Sequence, residues 1–313
     1  MINNNKLFFL MGPTASGKTQ LAVELVKRFP FEIISVDSAL IYRGMNIGTA
    51  KPDDHILAVA PHHLINIRDP SEIYSAAQFR EDALSIIKDI QARHKTPLLV
   101  GGTMLYFRAL EKGLAVMPSS DAVIRAQLSA EAKEKGWAVL HDRLTSIDPI
   151  AAARIHPNDP QRIQRALEVY LLSGKNLSSW QQEQDHLAIS YDICHLVVSP
   201  EERNTLHTRI AARFKQMLSA GLVEEVKALY ARGDLSIEMP ALRSVGYRQI
   251  WQYLAGEYSY DEMQERAMAA TRQLAKRQLT WLRRWPNTVW FNSEMNNCLE
   301  QMICYLQEKF RLW

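Results

Sequence analysis

The stretch KLFFLMGPTASGKT, residues 6–19, decides the fold. Its first half is an apolar run that stops at a glycine, as a parallel strand buried on both faces does. Its second half, GPTASGKT (12–19), has the spacing G-x-x-x-x-G-K-[ST] of a phosphate-binding loop, and a helix is expected from about Gly17 to Phe29. Glycines in such a loop let backbone N–H groups turn toward an anion, and the helix start adds partial positive charge. The candidate polyphosphate cradle is therefore Gly12, Pro13, Thr14, Ala15, Ser16, Gly17, Lys18 and Thr19. Lys18 would neutralise a terminal phosphate, and the Thr19 hydroxyl would ligate Mg²⁺. The competing reading is a surface turn that matches by chance, which the flanking strand and helix disfavour.

Outward from the loop, strands and helices alternate. FEIISVD (31–37) reads as a second strand, HHLINIRD (62–69) as a weaker third, and PLLVGGT (97–103) as another buried strand closed by two glycines. Tyr74 to His94 reads as a helix with Ala77, Leu84, Ile87 and Ile90 near one face. This order predicts an α/β, P-loop NTPase-like three-layer fold with a largely parallel sheet. From about 114 to 189 the strand signals vanish. DAVIRAQLSAEAKEKG and DPQRIQRALEVYLLSG have helical periodicity, with Asp at their starts and Gly at their ends. The expected organisation is a core domain of residues 1–113 and 190–313, with a helical insertion domain at 114–189. YDICHLVVS (191–199) resumes the sheet, long helices run from Glu201 to about Trp285, and VWFN (289–292) is a last strand before a terminal helix.

Composition places the chain among ordinary globular proteins: 313 residues, 47% hydrophobic and 23% charged. No apolar run approaches the ~20 residues that cross a bilayer. The start, MINNNKLFFLMG, runs straight into the glycine-rich loop and does not read as a secretory leader. Cys194, Cys298 and Cys304 lack metal spacing, which fits a reducing, cytoplasmic setting without disulfides.

Net charge is only +3, yet its distribution is uneven. Between Arg203 and Trp285 there are 14 Lys+Arg against 8 Asp+Glu, and from Arg266 to Arg284 there are 6 basic residues and no acidic one. At 100° per residue, Arg272, Lys276 and Arg283 share a sector of roughly 40°, with Arg266, Arg277 and Arg284 in an adjacent one. Leu274, Trp281, Leu282 and Trp285 fall opposite, so a buried apolar face and an unbroken basic face are expected. A basic face without acids suits phosphates along an RNA backbone. The bland alternative is a solvated helix face.

The phosphate loop implies a polyphosphate and not a particular nucleotide. P-loop NTPases hold Mg²⁺ with a second acid at a strand end, whereas PLLVGGT ends in Gly101-Gly102-Thr103. The acid at a strand end here is Asp37. Ligands of doubly wound sheets sit at the carboxyl ends of the strands, so Asp37 is a candidate catalytic group. Capping of the following segment is its other reading.

GPTASGKT, DSALIYRGMNIGTAKP (37–52), the GGT of 101–103, RSVGYRQIW (243–251) and RQLAKRQLTWLRRW (272–285) together resemble the tRNA dimethylallyltransferases, also called tRNA isopentenyltransferases. The resemblance spans nearly the whole chain. It implies transfer of the dimethylallyl group of dimethylallyl diphosphate to the exocyclic N6 of the adenosine 3′ of the anticodon in tRNA, with release of diphosphate. The family directs a loop like that of ATP-binding proteins at the prenyl diphosphate, in keeping with the missing second acid. By the same resemblance, Asp37 is the catalytic aspartate, and Arg213 reaches the diphosphate beside Lys18 and Thr19. Asp37, Ser38, Ala39 and Leu40, with Thr103 and Arg125, line the path of the adenosine. Gln161, Arg162, Ile163, Gln164 and Arg165 contact tRNA, as do Arg243, Ser244, Val245, Gly246, Tyr247 and Arg248, and Arg272, Lys276, Arg277 and Arg283. Taken alone, Arg213 would be a solvated helix arginine and QRIQR (161–165) a polar helix face. Larger members carry a C-terminal zinc finger. No Cys/His pattern follows the basic helix here, so the resemblance is to the compact bacterial form, a monomer acting on the anticodon stem-loop.

Two other readings compete. One is a P-loop small-molecule kinase with Asp37 as base and the helical insertion as a lid, which the basic C-terminal helix disfavours. The other is a non-catalytic RNA-binding protein, which the intact Lys18, Thr19 and Asp37 disfavour.

Overall fold

The computed structural model describes residues 5–115, 117–183 and 188–310. It divides into two compact units, one of Met1–Arg108 with Ser190–Trp313 and one of Ala109–Ile189. The second unit starts at Ala109, a little before the sequence-based boundary at 114.

In the first unit the chain runs β1 (Lys6–Met11), α1 (Lys18–Val26), β2 (Phe31–Val36), α2 (Asp54–Val59), β3 (His62–His63), α3 (Ala76–Ala92), β4 (Thr96–Gly101) and α4 (Met104–Lys112), the last passing into the second unit. The helical unit holds α5 (Ala122–Lys135), α6 (Trp137–Ile147), α7 (Pro149–Ala152), α8 (Pro160–Ser173) and α9 (Leu177–Gln182). The chain then returns through β5 (Asp192–Ser199), α10 (Arg203–Ser219), α11 (Leu222–Tyr230), α12 (Tyr247–Leu254), α13 (Tyr260–Leu282), β6 (Thr288–Asn292) and α14 (Cys298–Phe310).

The six strands form one sheet in the order β3-β2-β4-β1-β5-β6, and every pairing is parallel. Continuous apolar runs explain this: Leu7 to Met11 and Leu98 to Val100 are buried, as strands covered on both faces must be. Register then places the chemistry. Gly101 pairs with both Met11 and Val36, so β1, β2 and β4 end level and deliver Gly12, Asp37 and Gly102 to one rim. A core cluster of Phe8, Leu10, Leu25, Ile33, Leu98, Leu196 and Met302 holds that frame.

Local signals set the helix starts. Ser75 and Gln78 form a capping box at α3, and Asp121, Asp159 and Ser259 side chains accept backbone N–H bonds at the starts of α5, α8 and α13. Two expectations change. The weak third strand shrinks to His62–His63, because Leu64 and Asn66 take positive φ of 62° and 55° and break the extended run. In α3 the buried face is Phe79, Ala83, Ile87 and Ile90, while Ala77 is exposed, because the face turns toward Phe79. Cys194 and Cys298 are buried and Cys304 is exposed, all as free thiols. Among the described residues no helix is long and apolar enough to cross a membrane.

Candidate active site

A cavity of about 810 Å³ lies in the first unit at the carboxyl ends of the strands, within the usual range for a small-molecule site. Its polar end is the phosphate loop from Thr14 to Thr19, while Gly12 and Pro13 are buried behind it. Ala15 and Gly17 take positive φ of 62° and 91°, which folds the loop into a concavity of the kind that binds anions. Lys18 Nζ donates to Pro13 O at 2.7 Å and to Ser16 Oγ at 3.4 Å, so it bends back over its own loop.

Arg213, from α10, lines the same wall. Enclosure of the Lys18 ammonium, reinforced by the Arg213 charge and opposed by Asp37, pushes it down to about 7 from the ordinary lysine range. Burial likewise lowers Arg213, against the pull of Asp37. Arg213 makes no hydrogen bond or ion pair among the described residues. Two enclosed cations share one carboxylate, and the site is electrostatically short of an anion.

Asp37 follows β2 directly. Its Oδ1 accepts from the N–H groups of Ala39 at 2.8 Å and Leu40 at 3.3 Å. These bonds close a turn over residues 38–41; the next helix starts only at Asp54, so Asp37 caps no helix, and the turn engages one of its two oxygens. Thr103 Oγ1 accepts from Ser38 N–H at 3.1 Å, which ties the turn after β4 to the residue beside Asp37. Asp37, Ser38, Ala39, Leu40 and Thr103 all line the cavity.

The rest of the wall is mostly apolar: Ile210, Phe214 and Met217 from α10, Leu222 from α11, and Leu274 and Trp281 from α13. This corrects the wheel reading. Leu274 and Trp281 are half-buried cavity residues, while the core side of α13 is Met263, Ala267, Ala275, Gln278 and Leu282. The cavity takes the sector next to the core face, so these side chains meet a ligand space instead of packed protein. The basic residues Arg272, Lys276, Arg283 and Arg284 are exposed, and Arg277 reaches the cavity. Arg266 is paired with Glu262 at 2.7 Å and lies over the Tyr258 ring, so it is not a free cation of that face.

Arg243, Ser244, Val245, Gly246 and Tyr247 line the cavity, whereas Arg248 is an exposed residue of α12 outside it. Arg243 pairs with Glu238 at 2.6 Å. Tyr247 is fully buried, and its ring lies so close to Gly48 that a Cβ there would come within 2.5 Å of it. Only glycine fits under that ring.

Within the helical unit, Arg125 and Arg165 both bind the buried Glu168 carboxylate at 2.8 Å, and Arg165 also donates to Pro118 O at 2.7 Å. The Asp121 N–H gives Glu168 a further bond at 2.8 Å. These contacts hold the carboxyl below its usual range, against the opposing effect of burial. Ile163 is fully buried with Leu128, Leu140, Leu144 and Leu167, so its side chain packs the core of the unit and is not presented at the surface. That expectation is corrected: the turn of α8 that presents Arg162 to solvent points Ile163 inward. Gln164 bonds Arg125 O and Ser129 Oγ, Gln161 is exposed, and Arg162 is exposed beside Asp159.

Two residues at the site escaped the sequence reading. Gln278 lies on the core side of α13, and Glu225 in α11 binds the loop that follows Met45. A polar residue on an otherwise apolar face was the available signal for Gln278. Glu225 sits in a helical first turn, where an acid is expected on dipole grounds alone, and gave none.

Comparison with known proteins places the chain among relatives of similar sequence and fold. The IPP transferase family profile matches residues 40–285. A tRNA dimethylallyltransferase of Coxiella burnetii is 56% identical over 307 residues, covering 98% of this chain and 99% of that protein. A full-length tRNA isopentenylpyrophosphate transferase from Bacillus halodurans has a TM-score of 0.72 and 37% identity, with 98% of this chain and 97% of that one covered. A eukaryotic dimethylallyltransferase, in crystallographic snapshots of its action on tRNA, has a TM-score of 0.81 and 26% identity over 98% of this chain and 79% of that one.

Proposed function

The chain belongs to the IPP transferase family, and on that premise we propose that it is a tRNA dimethylallyltransferase that moves the dimethylallyl group of dimethylallyl diphosphate onto N6 of the adenosine 3′ of the anticodon. The observation that supports this best is the pair of enclosed cations, Lys18 and Arg213, facing one carboxylate, Asp37, in an otherwise largely apolar cavity. A diphosphate fits the cations and a short prenyl chain fits the apolar wall. The adenine leaves its stack to reach the prenyl carbon, at modest cost in a single-stranded loop.

In the reaction the N6 lone pair forms a bond to C1 of the prenyl group as the C1–O bond breaks. The electron pair of that bond leaves with diphosphate. Lys18, Arg213 and the loop N–H groups stabilise the charge that builds there. The N6 proton passes to the Asp37 carboxylate, a general-base contribution of typically ~10² to 10⁴ in rate. Mg²⁺ suits the donors present. Thr19, the hydroxyl residue of the loop motif, lines the cavity. Mg²⁺ characteristically takes few protein ligands, with phosphate oxygens and water completing its shell. Bound by Thr19 and the diphosphate, it would add positive charge at the leaving group. The enzyme acts as a cytoplasmic monomer in this reading.

Incubation with dimethylallyl diphosphate or ATP, with and without bulk tRNA, followed by nucleoside mass analysis, tests the proposal. A mass gain of one dimethylallyl group on adenosine is expected only with the prenyl diphosphate and tRNA together. Lys18→Ala and Thr19→Ala should raise KM for the prenyl diphosphate and blunt the Mg²⁺ requirement. Phosphate transfer from ATP in place of prenylation would overturn the proposal.

A further inference from the structure

Helix α13 meets the phosphate loop through one side chain. Gln278 is nearly buried. Its Oε1 accepts the Thr14 N–H at 2.8 Å, and its Nε2 donates to Gly102 O at 2.9 Å. Thr14 carries the first N–H of the loop after Pro13, which has none. That N–H is spent on Gln278 and is not offered to an anion. Gly102 precedes Thr103, whose own N–H bonds Val36 O at 3.2 Å and whose Oγ1 holds Ser38 N–H at 3.1 Å. One amide thus links the loop that would hold the leaving group to the turn that steadies the segment carrying Asp37. Only a group with both a donor and an acceptor can make the two bonds, and a primary amide has both. The approach is close: a Cβ on Gly102 would lie 2.4 Å from Gln278 Nε2.

We propose that Gln278 is a positioning residue that sets the phosphate loop in register with Asp37, so that the diphosphate and the acceptor amine meet at reacting distance. The inference rests on the diphosphate reading of the loop. Donors held in place before the reaction cost nothing to reorganise in the transition state, and a misplacement of about 1 Å between reacting groups costs roughly 10²-fold in rate. Gln278 touches no reacting atom in this scheme. It acts through the two strand-end turns.

The test uses the full-length protein and three substitutions. Gln278→Met keeps the length and removes both bonds. Gln278→Glu keeps the acceptor for Thr14 and removes the donor for Gly102. Gly102→Ala drives the amide away from the other side. Inorganic pyrophosphate affinity is measured by calorimetry, kcat and KM with dimethylallyl diphosphate and tRNA, tRNA affinity by filter binding, and Tm by calorimetry. Gln278→Met should weaken pyrophosphate binding about tenfold, the size of one or two lost hydrogen bonds, and lower kcat by roughly 10², with tRNA affinity unchanged. Gly102→Ala should reproduce that pattern, and the double variant should be no worse than either single one, because both break the same link. Gln278→Glu, which turns a carboxylate oxygen toward Gly102 O, should lose kcat and also lower Tm, because it buries a charge without a donor. A lowered Tm in Gln278→Met with native kcat, KM and pyrophosphate affinity below the melt would overturn the inference and leave Gln278 a packing residue. Absence of pyrophosphate binding by the native protein is a different failure. It would remove the diphosphate reading, and the inference with it.

Discussion

The Glu225 carboxylate accepts the Tyr247 hydroxyl with the oxygen that also takes the Gly48 N–H, while its other oxygen takes the N–H groups of Asn46 and Ile47, each at 2.8 Å. One acid on α11 thereby fixes the loop that brings Gly48, Thr49 and Ala50 to the cavity wall, and seats Tyr247 over it. Burial, then the Glu225 charge, raise the Tyr247 phenol above its ordinary range, so it stays a donor at all working pH values. Glu225→Ala leaves three N–H groups and a buried phenol without their acceptor. It should cost about 2–4 kcal/mol in urea unfolding and raise KM for the prenyl diphosphate. A loss below about 0.5 kcal/mol, within the range of an ordinary surface change, would show that the latch adds nothing.

Asp37→Ala should cut turnover by about 10² to 10⁴ while tRNA affinity changes little, because a base acts in the transition state. Single-turnover rates and filter binding separate the two. Near-native turnover with ruined tRNA binding would reduce Asp37 to the turn-closing role its Oδ1 already performs for Ala39 and Leu40.

In the helical unit, Arg165→Gln and Arg162→Gln should behave oppositely. Arg165 shares the buried Glu168 with Arg125, so its loss strands part of a buried charge and should lower stability by about 1–3 kcal/mol. Arg162 is 68% exposed and should be removable with no change in Tm, at the expense of tRNA affinity. Equal tRNA binding by the native protein and Arg162→Gln would move the RNA footprint off this turn of α8.

The exposed cations of α13 give a salt-dependence prediction. Changing Arg272, Lys276 and Arg283 together to Gln should lower affinity for every tRNA tested. It should also flatten the slope of log affinity against log salt by roughly one unit per lost phosphate contact. Pyrophosphate binding should be untouched. Retention of both tRNA affinity and slope would make the stripe a solvated face.

Much of this was legible locally. The phosphate loop, the strand-end Asp37 and the Asp-to-Gly bounds of the insertion helices are short-range patterns whose physics is complete within a few residues. The third strand was misjudged because positive φ at Leu64 and Asn66 leaves no mark in hydropathy. The wheel of α13 sorted polar from apolar correctly, yet could not tell a core-facing leucine from the cavity-facing Leu274, since both are apolar.

The sequence by itself determined the parallel α/β frame and the phosphate-loop motif, because buried strands and anion cradles depend on neighbours along the chain. Only the tertiary structure decided which distant groups complete the site. It brings Arg213 beside Lys18, lays Tyr247 over Gly48, turns Ile163 inward, and sets Gln278 against Thr14, 264 residues away. Sheet register decides those meetings: Met11, Val36 and Gly101 end level, and whatever packs on that rim joins the site.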